Sequence, residues 1–109
     1  MAKAYCGERS FDRIFHREKT KRFRAEGKNF VGESFGSIIG YKENGAIIHY
    51  SAKEEDSKAV TNDGSILVDS GGQYLEGTTD ITRTIALGKV SEEFKKEVTL
   101  VLKGMIDLS

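Results

Sequence analysis

The chain has 109 residues and a mass of 12.1 kDa, with 17 Lys and Arg set against 17 Asp and Glu, which fits one small domain or part of a larger one and excludes two. Hydrophobic residues at 38% and charged residues at 31% give a globular balance that excludes general disorder, and no apolar run approaches the roughly 18 residues of a membrane span. The opening MAKAYCGERS has no apolar stretch behind its Lys and does not read as a secretory signal, while Cys6, the only cysteine, allows neither an internal disulfide nor a cysteine zinc cage. These features predict a cytoplasmic protein.

The zero net charge hides an asymmetry: residues 1–30 hold nine Lys and Arg and four Asp and Glu, so the first part carries about +5 and the rest about −5. Arg13, Arg17, Lys19, Lys21, Arg22 and Arg24 supply most of the positive charge. A solvated helix face explains them better than a phosphate-binding surface. Without stacking aromatics or a nucleic-acid motif, no nucleic-acid partner is expected.

In chain order, Phe11, Ile14, Phe15 and Phe23 recur at helical spacing, which predicts a helix over 8–26 ending at Gly27. Phe30 to Ile39 reads as extended, Lys42-Glu43-Asn44-Gly45 as a turn, and Ala46 to Tyr50 as a short strand. Residues 51–64, polar and ending in Asn-Asp-Gly, read as an exposed loop. Ser65 to Ser70, with Ile66-Leu67-Val68 at its centre, predicts a strand buried on both faces. Gln73 to Leu87 reads as a hairpin turning at Glu76-Gly77, its second strand alternating Ile81, Arg83, Ile85 and Leu87 with Asp80, Thr82, Thr84 and Ala86. Ser91 predicts a helix cap with Glu92 and Glu93 in the first turn, followed by a buried stripe of Phe94, Val98, Val101, Leu102 and Met105.

The chemistry centres on Asp69 and Asp80. A turn at Glu76-Gly77 places Asp69 opposite Thr84, with both aspartates on one face but Asp80 four residues along, about 13 Å at 3.3 Å per residue. A bend at Gly71-Gly72 is needed to bring them together. Two carboxylates on one face repel unless one is protonated or a cation lies between them. Carboxylates suit Mn or Mg, and an imidazole would extend the choice to Co, Zn or Fe. Thr82 shares the face of Asp80, where it either hydrogen-bonds a ligand carboxylate or is a plain exposed β-sheet threonine, two readings of about equal weight. Arg83 points to the other face, where a structural ion pair is expected.

The segments Asn44-Gly45-Ala46-Ile47-Ile48-His49-Tyr50, Leu67-Val68-Asp69-Ser70-Gly71-Gly72-Gln73-Tyr74 and Gly77-Thr78-Thr79-Asp80-Ile81-Thr82-Arg83-Thr84 resemble the aminopeptidase P family of pita-bread metallopeptidases, and Val101-Leu102-Lys103-Gly104-Met105-Ile106 resembles the helix that follows there. The spacings of 20 from His49 to Asp69 and 11 from Asp69 to Asp80 match as well as the letters. The resemblance implies an α+β, partial pita-bread fold, a curved antiparallel sheet with flanking helices. Residues 1–21 would be a divergent basic leader and 22–109 the amino-terminal half of the catalytic domain.

The resemblance further implies a dinuclear site, usually Mn2+ with Co2+ or Zn2+ as alternatives, that hydrolyses the bond between an amino-terminal residue and a following proline. Asp69 would ligate one metal, Asp80 would bridge both, and His49 would donate a hydrogen bond to the substrate or its tetrahedral intermediate. The family's remaining ligands are a His in His-Gly-Thr-Gly-His-Gly and two Glu; no histidine follows His49 here. The expectation is a fragment that does not turn over substrate alone. Its partners would be a peptide with proline second in the complete enzyme, and the missing carboxy-terminal half or a second copy against the apolar helix. No membrane partner is expected. The alternative is a non-catalytic interaction module that reuses the half-fold.

Overall fold

The computed structural model describes residues 13–51 and 59–109. Its first element, α1, spans Arg13–Ala25 and closes with hydrogen bonds from the Glu26 and Gly27 amides to the Phe23 and Arg24 carbonyls, at 3.3 and 3.0 Å. The end matches the expected stop at Gly27; positions 8–12 of the expected helix, with Phe11, lie outside the described residues. Phe23 does not join the inward face that the periodicity suggests. His16, Thr20 and Arg24, spaced by four, are half-buried, whereas Phe23 is exposed beneath the Lys19 ammonium, 5.7 Å from its ring centroid.

Strands β1 (Phe30–Glu33), β2 (Ile38–Tyr41), β3 (Ser65–Ser70), β4 (Gly72–Tyr74), β5 (Gly77–Thr78) and β6 (Ile81–Ala86) form two antiparallel sheets, ordered β1-β4-β5 and β2-β3-β6. Because β3 continues into β4 and β5 into β6, one long hairpin runs through both sheets. Its register, Gln73 opposite Thr78 and Asp69 opposite Thr82, puts Leu75-Glu76 at the tip instead of Glu76-Gly77. Tertiary contacts decide this. The Leu75 amide donates to the Asn29 carbonyl at 3.1 Å, the Asn29 side chain bonds Glu76, and the Tyr74 ring meets Phe30 edge-on at 5.6 Å. These β1 contacts outweigh the local preference for Gly in the turn.

The expected strand at Ala46 to Tyr50 is absent. Lys42–Ala46 forms a 3-10 turn, continued by hydrogen bonds from Ile47 N to Asn44 O and from Tyr50 N to Ile47 O, at 3.3 and 3.2 Å. The segment packs against β2 and β3, but no described strand pairs with it to satisfy an extended backbone. Gly40 permits the fold-back, since a Cβ there would come within 2.7 Å of Gly45 Cα.

The small core lies on the β2-β3-β6 face that carries Ile39, Tyr41 and Ile66, all buried, with α1 packed against β1 and β2. On β3 only Ile66 and Ser70 are fully buried; Leu67 and Val68 are half-buried, because the second face has less cover than expected. The last element, α2 (Glu92–Leu108), is capped as expected, Ser91 Oγ accepting from the Phe94 amide at 3.1 Å. Its stripe is open, however, with Val98 43%, Val101 73% and Met105 58% exposed, since among the described residues it faces β6 across an open groove. No helix among the described residues is long and apolar enough to cross a membrane.

Two predictions follow from this packing. At Gly71 a Cβ would lie 2.0 Å from Thr79 O and 2.2 Å from Ser34 Oγ, so Gly71→Ala should destabilise the fold by roughly 3 kcal/mol or more, while Gly77→Ala, with open space around it, should shift the denaturant midpoint little. The second concerns the loop after residue 58, tied to β2 by Lys42 Nζ and Asp63 Oδ2 at 2.6 Å and by the Tyr41 hydroxyl on Thr61 and the Asp63 carbonyl. The hydrogen bond from Lys42 holds the Asp63 carboxyl below its ordinary 3.8, and the same bond raises Lys42 above its ordinary 10.5. The pair's contribution is therefore present between those values, lost as pH falls through the lowered Asp63 pKa, and lost again as pH rises through the raised Lys42 pKa. Asp63→Asn should melt slightly below the native chain at pH 7, and the two melting curves should converge on acidification.

Candidate metal centre

Asp69 occupies the fifth position of the central strand β3, on the face opposite Ile39 and Ile66, with Ile38 of β2 on one side and Thr82 of β6 on the other. This register moves the partner of Asp69 from the expected Thr84 to Thr82. Asp80 immediately precedes β6, two residues before that partner, so its offset along the strand is about 7 Å instead of 13 Å. Diagonal neighbours in an antiparallel pair stand at about this separation, within reach of two carboxylates that share a cation.

The expected bend is present. β3 ends at Ser70, β4 begins at Gly72, and the backbone at Gly71 passes so close to Thr79 O that no side chain fits. Thr79, on the return strand, pins the corner: its amide donates to Gly72 O at 2.9 Å and its hydroxyl accepts from Gly72 N at 2.9 Å. Ser34 Oγ donates to Thr79 O at 2.8 Å from below.

One atom marks the site as unfinished. Asp69 Oδ1 is buried with no hydrogen-bond partner. A buried carboxylate oxygen without a donor is costly, and a hard cation is the natural ligand for it. Two carboxylates do not make a full coordination shell, and among the described residues no group of three or more His, Cys, Asp or Glu is arranged to hold a metal. The donor set fits part of a divalent site and does not complete one among the described residues.

Thr82 stands directly opposite Asp69, as the shared face requires, and is solvent-exposed. Arg83 points to the other face as expected and donates to the Thr82 carbonyl at 2.8 Å, in place of the anticipated ion pair. His49 lies in the irregular turn after Ala46, exposed, with φ at 57° in the left-handed region. It is not brought into a cluster with the two aspartates among the described residues. Sequence reasoning passed over Arg24, Ser70, Thr79 and Ser34, which build the corner; only the coincidence of Arg24 with the half-buried face of α1 would have pointed to them.

A model of metallopeptidase family M24 matches residues 3–108. The chain belongs to metallopeptidase family M24. It is 45% identical over 89 residues to a probable Xaa-Pro aminopeptidase P of Paracoccidioides brasiliensis (strain Pb03), covering 82% of this chain and 14% of that protein. It is 50% identical over 91 residues to aminopeptidase P1 of Lotus japonicus, covering 84% of this chain and 14% of that protein. Among solved structures it superimposes on X-prolyl aminopeptidase from Caenorhabditis elegans, described as a cytosolic enzyme with a di-nuclear active site, with a TM-score of 0.82 and 33% identity over 86% of this chain and 16% of that one. The chain thus spans about one seventh of the length of these curated relatives. Its α+β architecture of curved antiparallel sheets and flanking helices is part of the pita-bread fold, as the sequence resemblance implies.

The orphaned oxygen yields a prediction that needs no metal. Asp69→Val, with a β-branched residue on a central strand, should raise the stability of the metal-free chain by about 1 kcal/mol in a urea titration, because it removes an unsatisfied buried acceptor.

Proposed function

We propose that the chain is the segment of a dinuclear Xaa-Pro aminopeptidase that supplies two of its metal ligands, Asp69 and Asp80. The carrying observation is the buried, donorless Oδ1 of Asp69, on a strand whose partner residue lies two positions from Asp80, in a chain of family M24. Asp69 would hold one ion and Asp80 both. A divalent ion at this position supplies Lewis acidity towards a peptide carbonyl and lowers the pKa of water. The protein's own contribution is to hold the carboxylates in fixed relation on a rigid strand pair. Thr82, opposite Asp69, would steady the carboxylate of that ligand, and His49 would donate a hydrogen bond to the substrate, as the family resemblance implies.

Mn2+ is the ion we assign, on the strength of the all-oxygen donors contributed here, with Co2+ or Zn2+ as competitors once imidazole joins the shell. The substrate is a peptide with proline at its second position, and the site of action is the cytoplasm, in keeping with the nematode neighbour. By itself the 109-residue chain does not hydrolyse such peptides, because two carboxylates leave the coordination shell incomplete. Residues 1–21 form a basic leader to the catalytic segment that starts at residue 22.

A second reading draws on the open face of α2. Val98, Val101, Leu102 and Met105 line a groove of about 610 Å³ against Thr82, Arg83 and Thr84, and an interaction module would use this surface for the rest of the catalytic domain or a second copy. One set of variants separates the readings. Mn2+ binding, followed by loss of the free-ion EPR signal on titration, should be weak in the native chain and abolished by Asp69→Asn or Asp80→Asn. Binding to a partner through α2 should be unaffected by either. Unchanged Mn2+ binding in both variants would remove the metal-ligand assignment, and Xaa-Pro hydrolysis by the purified chain would remove the claim that it is inactive alone.

A further inference from the structure

We propose that Arg24 is the positioning residue of the aspartate pair, a guanidinium that fixes the separation of Asp69 and Asp80 from the opposite face of the sheet. The inference rests on the reading of those two residues as metal ligands. Arg24 projects from the last turn of α1 and is half-buried. Its Nη2 donates to both the carbonyl and the hydroxyl of Ser70, at 3.2 and 3.0 Å, and its Nη1 to Thr79 Oγ1 at 3.4 Å. Ser70 is the residue after Asp69, and Thr79 is the residue before Asp80. A single planar cation therefore bridges the two strands at the positions adjoining both ligands.

Strand geometry explains why this grip matters. Side chains alternate across a strand, so Ser70 faces α1 while Asp69 faces away from it. Holding Ser70 and Thr79 from the α1 side fixes the backbone from which the carboxylates project, without any contact with the metal. The helix end from which Arg24 projects is itself held, since the Tyr74 hydroxyl donates to the Arg24 carbonyl at 3.4 Å and so ties the end of α1 to β4. Thr79 receives the Gly72 amide as well as Nη1, which couples the arginine to the bend at Gly71. A lysine reproduces the charge but not the fork, because an ammonium is a point donor on a flexible stem.

The test uses the 109-residue chain and Mn2+ alone, with EPR titration for affinity, thermal melting for foldedness, and amide exchange at Gly72 and Thr79 in metal-free protein. Arg24→Gln should weaken Mn2+ binding roughly 10- to 100-fold, the range found when partners of metal ligands are removed, and should speed exchange at both amides. Arg24→Lys should fall between Gln and the native residue. Should Arg24→Gln not fold, Thr79→Val and Thr79→Ser carry the test: valine removes the acceptor and should weaken Mn2+ binding, whereas serine retains it and should bind as the native chain does. In a double-mutant cycle, Arg24→Gln and Thr79→Val should be non-additive. Mn2+ affinity within twofold of native in folded Arg24→Gln and Thr79→Val, while Asp69→Asn abolishes binding, would overturn the positioning role and leave the ligands standing. Absence of Mn2+ binding in the native chain, or binding indifferent to Asp69→Asn and Asp80→Asn, would overturn both.

Discussion

The corner at Gly71 governs the rest of the structure. There the chain leaves one sheet for the other, the backbone runs against Thr79 O closely enough to forbid even a methyl group, and Thr79 exchanges two hydrogen bonds with Gly72. An antiparallel hairpin without such a corner would stay in one sheet. With it, the hairpin tip is handed to β1, where Asn29 and Phe30 hold it, while the lower part remains paired to β2. Register and curvature are thus set by the same few atoms, and the mutual placement of Asp69 and Asp80 follows from both.

Features that depend on one segment alone were legible in the sequence. The cap at Ser91, the end of α1 near Gly27, the extent of β3 and β6 and the alternation along β6 all follow from local chemistry, and the structure has each of them. Features decided by a neighbour were not. The tip moved by one residue because Asn29, some 46 positions earlier, binds Leu75. A one-residue shift of the tip moves every pairing by two, which took Asp69 from Thr84 to Thr82 and halved its offset from Asp80. Ala46 to Tyr50 has the composition of a strand but no described strand paired to it, and the end of α1 turns Arg24 inward, where its guanidinium reaches the Ser70 carbonyl and hydroxyl. The motif resemblance located the candidate ligands but carried no information on which residues hold the bend.

The exposed α2 follows the same logic. Helix propensity, a capped start and acids in the first turn suffice to form it, so the element exists even where its apolar stripe is uncovered. β6 is its counterpart among the strands, with Ile81 and Ile85 42% and 49% exposed on an edge that no described strand pairs. Local rules therefore produce both elements, while their burial depends on partners beyond the described contacts. This separates the two halves of the molecule: the β1-β4 corner is held by its own hydrogen bonds, and the α2 side presents an open apolar stripe.

Asp69 is a place where the chain works against its own stability, one of two described residues, with Arg24 at its Nε, that bury an unpartnered polar side-chain atom. A central β3 position beside Leu67 and Ile38 would favour an apolar or β-branched residue, and an aspartate there leaves a buried oxygen unsatisfied. Local and global preferences agree almost everywhere else along β3, from Ile66 to Ser70. Such an isolated conflict needs a gain that folding does not supply. On the proposed reading a cation shared with Asp80 would supply it, and the hydrogen bonds from Arg24 to Ser70 and Thr79 would serve the same end, keeping the second carboxylate near enough for that cation to be held.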